Sequence, residues 1–257
     1  MYTTVNKVHA SVDFCDCSVR SYCAAASPPI ALIPTERAVN ETGWRGSPEV
    51  WLQAAYDALV ESGVDAVRIQ PMAKKLNLSR TSFYWFYKDR EELLAALIDR
   101  WRIRNTGSII RQSEAYAESI AEAVLNVFDC WLDGSLFDSE LEYSVRSWAI
   151  QSPDVASEIH AADVTRIEAL TNMFVRFGYD PLVADVRART IYLVQIGYIS
   201  KRTKEDMATR VRRIPPYVEI FTGQAPQRRE LERFFARHGY GAGEPDALPD
   251  RRKASTC

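Results

Sequence analysis

The chain has 257 residues, 47% of them apolar and 26% charged, with a formal net charge of −2. That length holds one or two domains and buries a sizeable core. The low glycine and proline counts, 11 and 12, exclude collagen-like and low-complexity architectures and argue against a many-turned all-β barrel. No apolar run of about 18 residues exists, so no transmembrane helix is expected, and no Lys/Arg-led apolar segment opens the chain as a secretory signal.

The small net charge hides an asymmetry. Arg68, Lys74, Lys75, Arg80, Lys88 and Arg90 face only Asp89 between residues 68 and 90, whereas residues 105–210 carry ten basic against sixteen acidic side chains. A short basic block on an acidic body points to a local polyanion-binding site. The five cysteines, an odd number without a signal segment, are expected to be reduced thiols of a cytoplasmic protein. Cys15-x-Cys17 could offer two metal ligands, but no second pair or nearby histidine completes a site, so no metal or cofactor is expected. His9, His160 and His238 are scattered and supply no catalytic pair, so the chain is not expected to be an enzyme.

Residues 1–46 show no sustained period, carry Pro28-Pro29 and Pro34, and are expected to form a disordered lead. The pattern changes at Ser47-Pro48, an N-cap followed by proline at the first helical position. The same signal returns at Ser152-Pro153 and Asp180-Pro181, and Thr203-Lys-Glu-Asp206 is read as a further helix start. Helices are predicted over 48–62, 69–76, 80–86, 90–105, 114–133, 138–151, 153–177, 181–200, 204–213 and 226–238. Gly63, Gly134 and Gly178 stand where terminating glycines belong. No alternating strand and no internal repeat appears. The expected fold is all-α, with a helix-turn-helix unit over 47–92, a helical body over 93–223, and a short helix with a frayed tail over 224–257.

Trp51, Ala55, Ala58 and Leu59 line one side of the first helix. Ile69, Met72, Ala73 and Leu76 recur at i, i+3, i+4 and i+7 on the second. Asn77 tolerates the left-handed conformation of a tight turn, and Ser79 caps a short third helix. Phe83 and Tyr87 can pack inward, leaving Arg80, Thr81, Ser82, Tyr84 and Trp85 on other faces. Asp89-x-x-Glu92 has the form of a capping box. Two short helices joined by a tight turn, the second rich in donors and aromatics, make a helix-turn-helix.

The string from Gly63 to Leu94 resembles the DNA-binding domain of the TetR family of transcriptional regulators. Ala73, Leu76, Leu78, Ser79, Phe83, Tyr84, Trp85, Tyr87 and Arg90 fit that family's helix, turn and aromatic segment in order. The resemblance covers residues 49–101. Asn77 replaces a usual glycine, Phe86 a frequent histidine, and Ile69 a frequent phosphate-binding threonine. The resemblance implies Gln70, Arg80 and Thr81 as base-edge contacts, and Ser82, Tyr84, Lys88 and Arg90 as phosphate contacts. Trp85 is divided between backbone contact and packing. Arginine can pair bidentately with guanine and glutamine with adenine. As bare residues of a helical bundle, the same side chains are also compatible with a plain solvated surface, Lys74 and Lys75 most of all.

The body offers long helices. Ile120, Val124, Val127, Phe128 and Trp131 form one stripe, and the helix over 90–105 presents Leu93, Leu94, Leu97, Ile98 and Trp101. Tyr143, Trp148, Met173, Phe174 and Phe177 add aromatic and soft surface, and Arg146 and Arg166 are expected to pair with acidic neighbours. Residues 191–199 are apolar almost all round and need cover on several sides. Pro215-Pro216 is expected to end or kink the helix before it. The resemblance implies a small-molecule pocket in this body, whose ligand residues the sequence does not assign, and a two-fold interface between the last two long helices. The resulting expectation is a cytoplasmic, membrane-free homodimer that binds a pseudopalindromic operator, represses transcription and is released by an effector. A helical interaction module whose DNA-reading function has decayed remains the alternative.

Overall fold

The computed structural model describes residues 46–240. The expected disordered lead, the Cys15-x-Cys17 pair and the tail beyond residue 240 lie outside the described residues. Among the described residues the fold is all-α, and no helix is long and apolar enough to cross a membrane.

Helix α1 (Pro48–Ser62) starts at the Ser47 cap, whose side chain accepts from the Val50 amide. A 3-10 turn (Val64–Ala66) leads to α2 (Ile69–Leu76) and α3 (Arg80–Phe83). A longer third helix, to 86, was expected. It ends at Phe83 with Tyr84 as its C-cap, and residues 84–86 follow as turns. Trp51, Phe83 and Tyr87 then pack ring against ring, and the Tyr87 hydroxyl donates to the Pro48 carbonyl at 3.1 Å.

Helix α4 (Arg90–Trp101) does not end at 105. It continues through a π-helical segment (Arg102–Thr106) into α5 (Gly107–Glu114). Gly107 takes ordinary helical angles there, so it breaks nothing. The next helix begins later than expected: Ser119 caps α6 (Ile120–Leu132). α7 (Ser139–Ala149), α8 (Pro153–Arg176) and α9 (Pro181–Ser200) match their predicted spans to within two residues. Gly178 has φ +84°, as a terminating glycine should, whereas Gly134 takes no positive φ.

α10 (Met207–Thr222) corrects two expectations. Its cap is Asp206, not Thr203, and it runs straight through Pro215-Pro216. The prolines remove the amide donors that would reach the carbonyls of residues 211 and 212. The buried stripe of Val211, Ile214, Pro215, Val218 and Phe221 holds both halves to the core nonetheless. α11 (Arg228–Arg237) starts with a capping box between Gln227 and Glu230.

Two hydrophobic clusters organise the molecule. One gathers α6, the second half of α8, and α9 to α11. α6 is buried on every side up to Trp131, not amphipathic as its stripe suggested. Its polar residues are covered by α11, where Arg233 meets Glu122 at 2.6 Å and Arg237 and His238 meet Asp129 at 3.1 and 2.7 Å. Burial pushes the Cys130 thiol of this helix up to about 12, which keeps it protonated. The second cluster joins the helix-turn-helix to α4, α7 and the start of α8 through Trp51, Leu97, Trp101, Leu141, Val145 and Ile159. The expected division at residues 92 and 93 falls inside this cluster, so the head and the helix that carries it share one core.

Candidate nucleic-acid interface

The turn between α2 and α3 is built as the sequence requires. Asn77 sits in the left-handed region (φ 53°, ψ 40°), and its amide and that of Leu78 close onto carbonyls of α2. Ser79 then accepts from the Ser82 amide at 3.2 Å and starts α3. Met72, Ala73 and Phe83 are buried, so α2 and α3 turn their remaining side chains outward.

Gln70, Arg80, Thr81, Tyr84, Trp85 and Lys88 are all exposed. Arg80 and Lys88 carry no ion-pair partner among the described residues, which leaves their charge available to an external anion. Tyr84 and Trp85 are 52% and 66% exposed, unusual for such rings, and form an aromatic edge beside α3.

Two of the expected phosphate contacts are engaged elsewhere. Ser82 is buried and its hydroxyl donates to the Ser79 carbonyl at 2.7 Å, which tightens α3. Arg90 donates to the Val67 and Val64 carbonyls at 2.6 and 2.9 Å. It thereby pins the first turn of α4 to the loop before α2 and sets the approach of the head. Lys75 is likewise occupied, by Asp57 at 3.4 Å and Glu61 at 3.9 Å on α1. Phe86 is half-buried against the core of the head and has no proton to donate. The reach-back of the capping box differs in detail: Glu92 accepts from the Lys88 amide, not from that of Asp89.

The sequence reading passed over Arg68. It is exposed at the N-cap of α2, two residues before Gln70, with its Nε donating to the Asp65 carbonyl at 2.8 Å. It had been counted in the basic block, and its nearness to the start of α2 was the available signal.

The head is tied to the body by a buried polar network. Glu142 of α7 is fully buried and accepts from Trp101 Nε1 at 2.6 Å and from Asn105 at 2.9 Å. It also pairs with Arg166 and Arg146, both at 2.9 Å. Arg166 reaches the hydroxyls of Thr106 and Tyr192 at 2.9 and 3.0 Å, and Arg146 pairs with Asp163 at 2.6 Å. The expected pairing of these two arginines with acidic neighbours is what the structure holds. Burial favours the neutral Glu142, but the charges of Arg166 and Arg146 and the bonds from Arg166 and Asn105 outweigh it, so its carboxyl lies below the usual range. Burial raises the Tyr192 hydroxyl instead.

Comparison with known proteins bears on the head first. Residues 52–97 match the family described as bacterial regulatory proteins, tetR family. The HTH-type transcriptional regulator YdeS of Bacillus subtilis (strain 168) is 28% identical over 81 residues, 30% of this chain, and the chain spans only 41% of that relative's length. Similar solved structures include a TetR-family transcriptional regulator from Mesorhizobium loti MAFF303099, with 15% identity and a TM-score of 0.48 over 74% of this chain and 95% of that one. They also include a transcriptional regulator from Rhodococcus sp. Rha1, with 18% identity and a TM-score of 0.45 over 79% and 100% of the two chains. In its turn, caps and aromatic segment, the stretch of residues 52–97 is thus similar to the tetR family of bacterial regulatory proteins.

Proposed function

We propose that the chain is a sequence-reading DNA-binding repressor that acts as a homodimer and is released by a small-molecule effector held in its body. The observation that carries this reading is the exposed set of Gln70, Arg80, Thr81, Tyr84 and Lys88 around a capped helix-turn-helix. Arg80, Thr81 and Gln70 read base edges, while Tyr84 and Lys88 hold phosphates. Ser82 and Arg90 shape the reading head from behind.

One α3 of four residues reads few bases, so a second copy is needed for a specific site. α9 supplies the surface. Leu182, Val186 and Leu193 are 73%, 55% and 60% exposed along one side of it, and Ile220 of α10 is 69% exposed beside them. A groove of about 410 Å³ runs between these helices. Such a stripe is covered when two copies meet.

The test is selection of a randomised duplex library with the full chain, followed by fluorescence anisotropy on the recovered sequence. Saturable binding that weakens steeply with salt and loses sequence preference in Arg80→Ala is expected. Weak binding of equal strength to every duplex would overturn the reading. It would favour a helical interaction module, for which the inward-turned Phe86, Ser82 and Arg90 already speak.

A further inference from the structure

A cleft opens in the body between α6, α9 and α10, walled by Phe128, Trp131, Tyr198, Arg210, Tyr217 and Phe221. The space between the walls, including the part open to solvent, is about 390 Å³, and the room for the centre of a water-sized molecule is about 30 Å³. Phe128, Phe221 and Tyr217 stack in a column, with ring centroids 6.3 and 5.4 Å apart, and Trp131 meets Phe128 edge-on at 5.2 Å. The wall is therefore flat and apolar along one side.

Two polar groups on this wall have nothing to bind. Trp131 is 6% exposed, and its Nε1 has no acceptor. A buried unpaired donor costs free energy that an acceptor would recover. Arg210 is half-buried, and its side chain makes no hydrogen bond or ion pair among the described residues. Burial favours loss of its proton, against a weaker pull from Glu205. The other charges at the cleft are Glu205 and Arg213, which pair with each other. The wall thus carries one guanidinium more than it has carboxylates.

We infer that this cleft is the effector site and that it binds a small hydrophobic carboxylate. The assignment rests on the reading of the body as the effector-binding part. The carboxylate pairs with Arg210, whose planar fork suits it. The apolar part lies along Phe128, Phe221 and Tyr217, and an acceptor on the ligand satisfies Trp131 Nε1. A neutral ligand would leave Arg210 as it is, and a dianion would meet Glu205. Phe221 also lines the exposed groove between α9 and α10, so an occupied cleft acts on the surface offered to a second copy. The enclosed space is small, and Arg213, one of its lining residues, is half exposed.

The experiment is calorimetric titration of the full chain, without DNA, with octanoate, phenylacetate and indole-3-acetate and with the amide of each. At least one acid is expected to bind saturably, with its amide at least about tenfold weaker. Arg210→Met should remove that preference while circular dichroism shows it folded. Arg212→Gln, on the exposed side of α10, should keep it. The assignment falls if no acid binds, if acid and amide bind alike, or if Arg210→Met binds as the parent does. Because heat is read without DNA, a failure of operator binding leaves this result standing, and a failure here leaves the DNA reading standing.

Discussion

The indole of Trp101, the last residue of α4, donates to the buried carboxylate of Glu142 at 2.6 Å, and Arg166 sits over the same indole ring at 5.0 Å. Through Arg166 and Tyr192 this contact continues to α9. The helix that carries the reading head and the helix that carries the exposed apolar stripe therefore meet in one network of charge and hydrogen bonds.

Removing the centre of that network should be costly. Glu142→Ala strands Arg166, itself fully buried, without this counter-ion, and breaking a buried pair in this way costs about 3–5 kcal/mol. Urea unfolding of the variant should show a midpoint lowered by that free energy divided by the slope, with the slope itself unchanged. A loss below about 1 kcal/mol would mean that water reaches the site.

The same carboxylate sets a pH dependence. Its folded value lies below the ordinary 4.5, so its contribution is complete above that pH and is lost as pH falls through the lowered value. Glu122 acts in the same direction: burial opposes its ionised form, but the Glu118 amide and Arg233 outweigh burial. Stability should stay level from about pH 7 to about pH 5 and then fall steeply. In Glu142→Gln the acid limb should be shallower. An unchanged limb would place the titration elsewhere.

Much of this was legible because local chemistry decides it. Ser47, Asn77, Ser79 and Asp180 announce caps and a turn through their own side chains, and the helix starts and the turn they mark fall where expected. What was not legible depends on distant partners. Nothing near Ser82 or Arg90 says that one bonds its own turn and the other reaches back 23 and 26 residues to carbonyls. The burial of the polar side of α6 follows from α11, more than a hundred residues later. Pro215-Pro216 has the local signature of a helix end, and the apolar stripe around it overrides that signature. The cleft at Arg210 had no motif at all.

The turn can be tested by itself. Asn77 holds φ 53° with its side chain exposed, so Asn77→Gly should be tolerated within a few tenths of a kcal/mol. Asn77→Val places a β-branched side chain in that conformation and should cost about 1–3 kcal/mol by thermal or urea unfolding. Equal stability of the two variants would show that the turn relaxes out of the left-handed region.

The stripe on α9 predicts an assembly that one substitution breaks. Leu193 is 60% exposed and lies on the same side as Val186 and Leu182. Leu193→Glu would place two carboxylates near one another across a two-fold axis, in an apolar seam that offers them no partner. Light scattering should give twice the chain mass, 29.2 kDa, for the parent and a single mass for the variant. The variant should also keep its helical content, since a monomer already exposes that position. A variant that stays dimeric would move the interface to another face.

Arg80 and Lys88 should separate reading from holding. Arg80 stands at the start of α3, where side chains reach base edges, whereas Lys88 lies beyond the aromatic segment, beside α4. Arg80→Ala should cost about 1–3 kcal/mol on the preferred duplex and little on a scrambled one, because only the base-specific bond is lost. Lys88→Ala should weaken binding to both alike and reduce the slope of log affinity against log salt by about one counterion. Anisotropy titrations at three salt concentrations on both duplexes give all four numbers. If Arg80→Ala weakens the two duplexes equally, Arg80 is a phosphate contact and the specificity lies with Gln70 and Thr81, whose alanine variants would then carry the base-dependent loss.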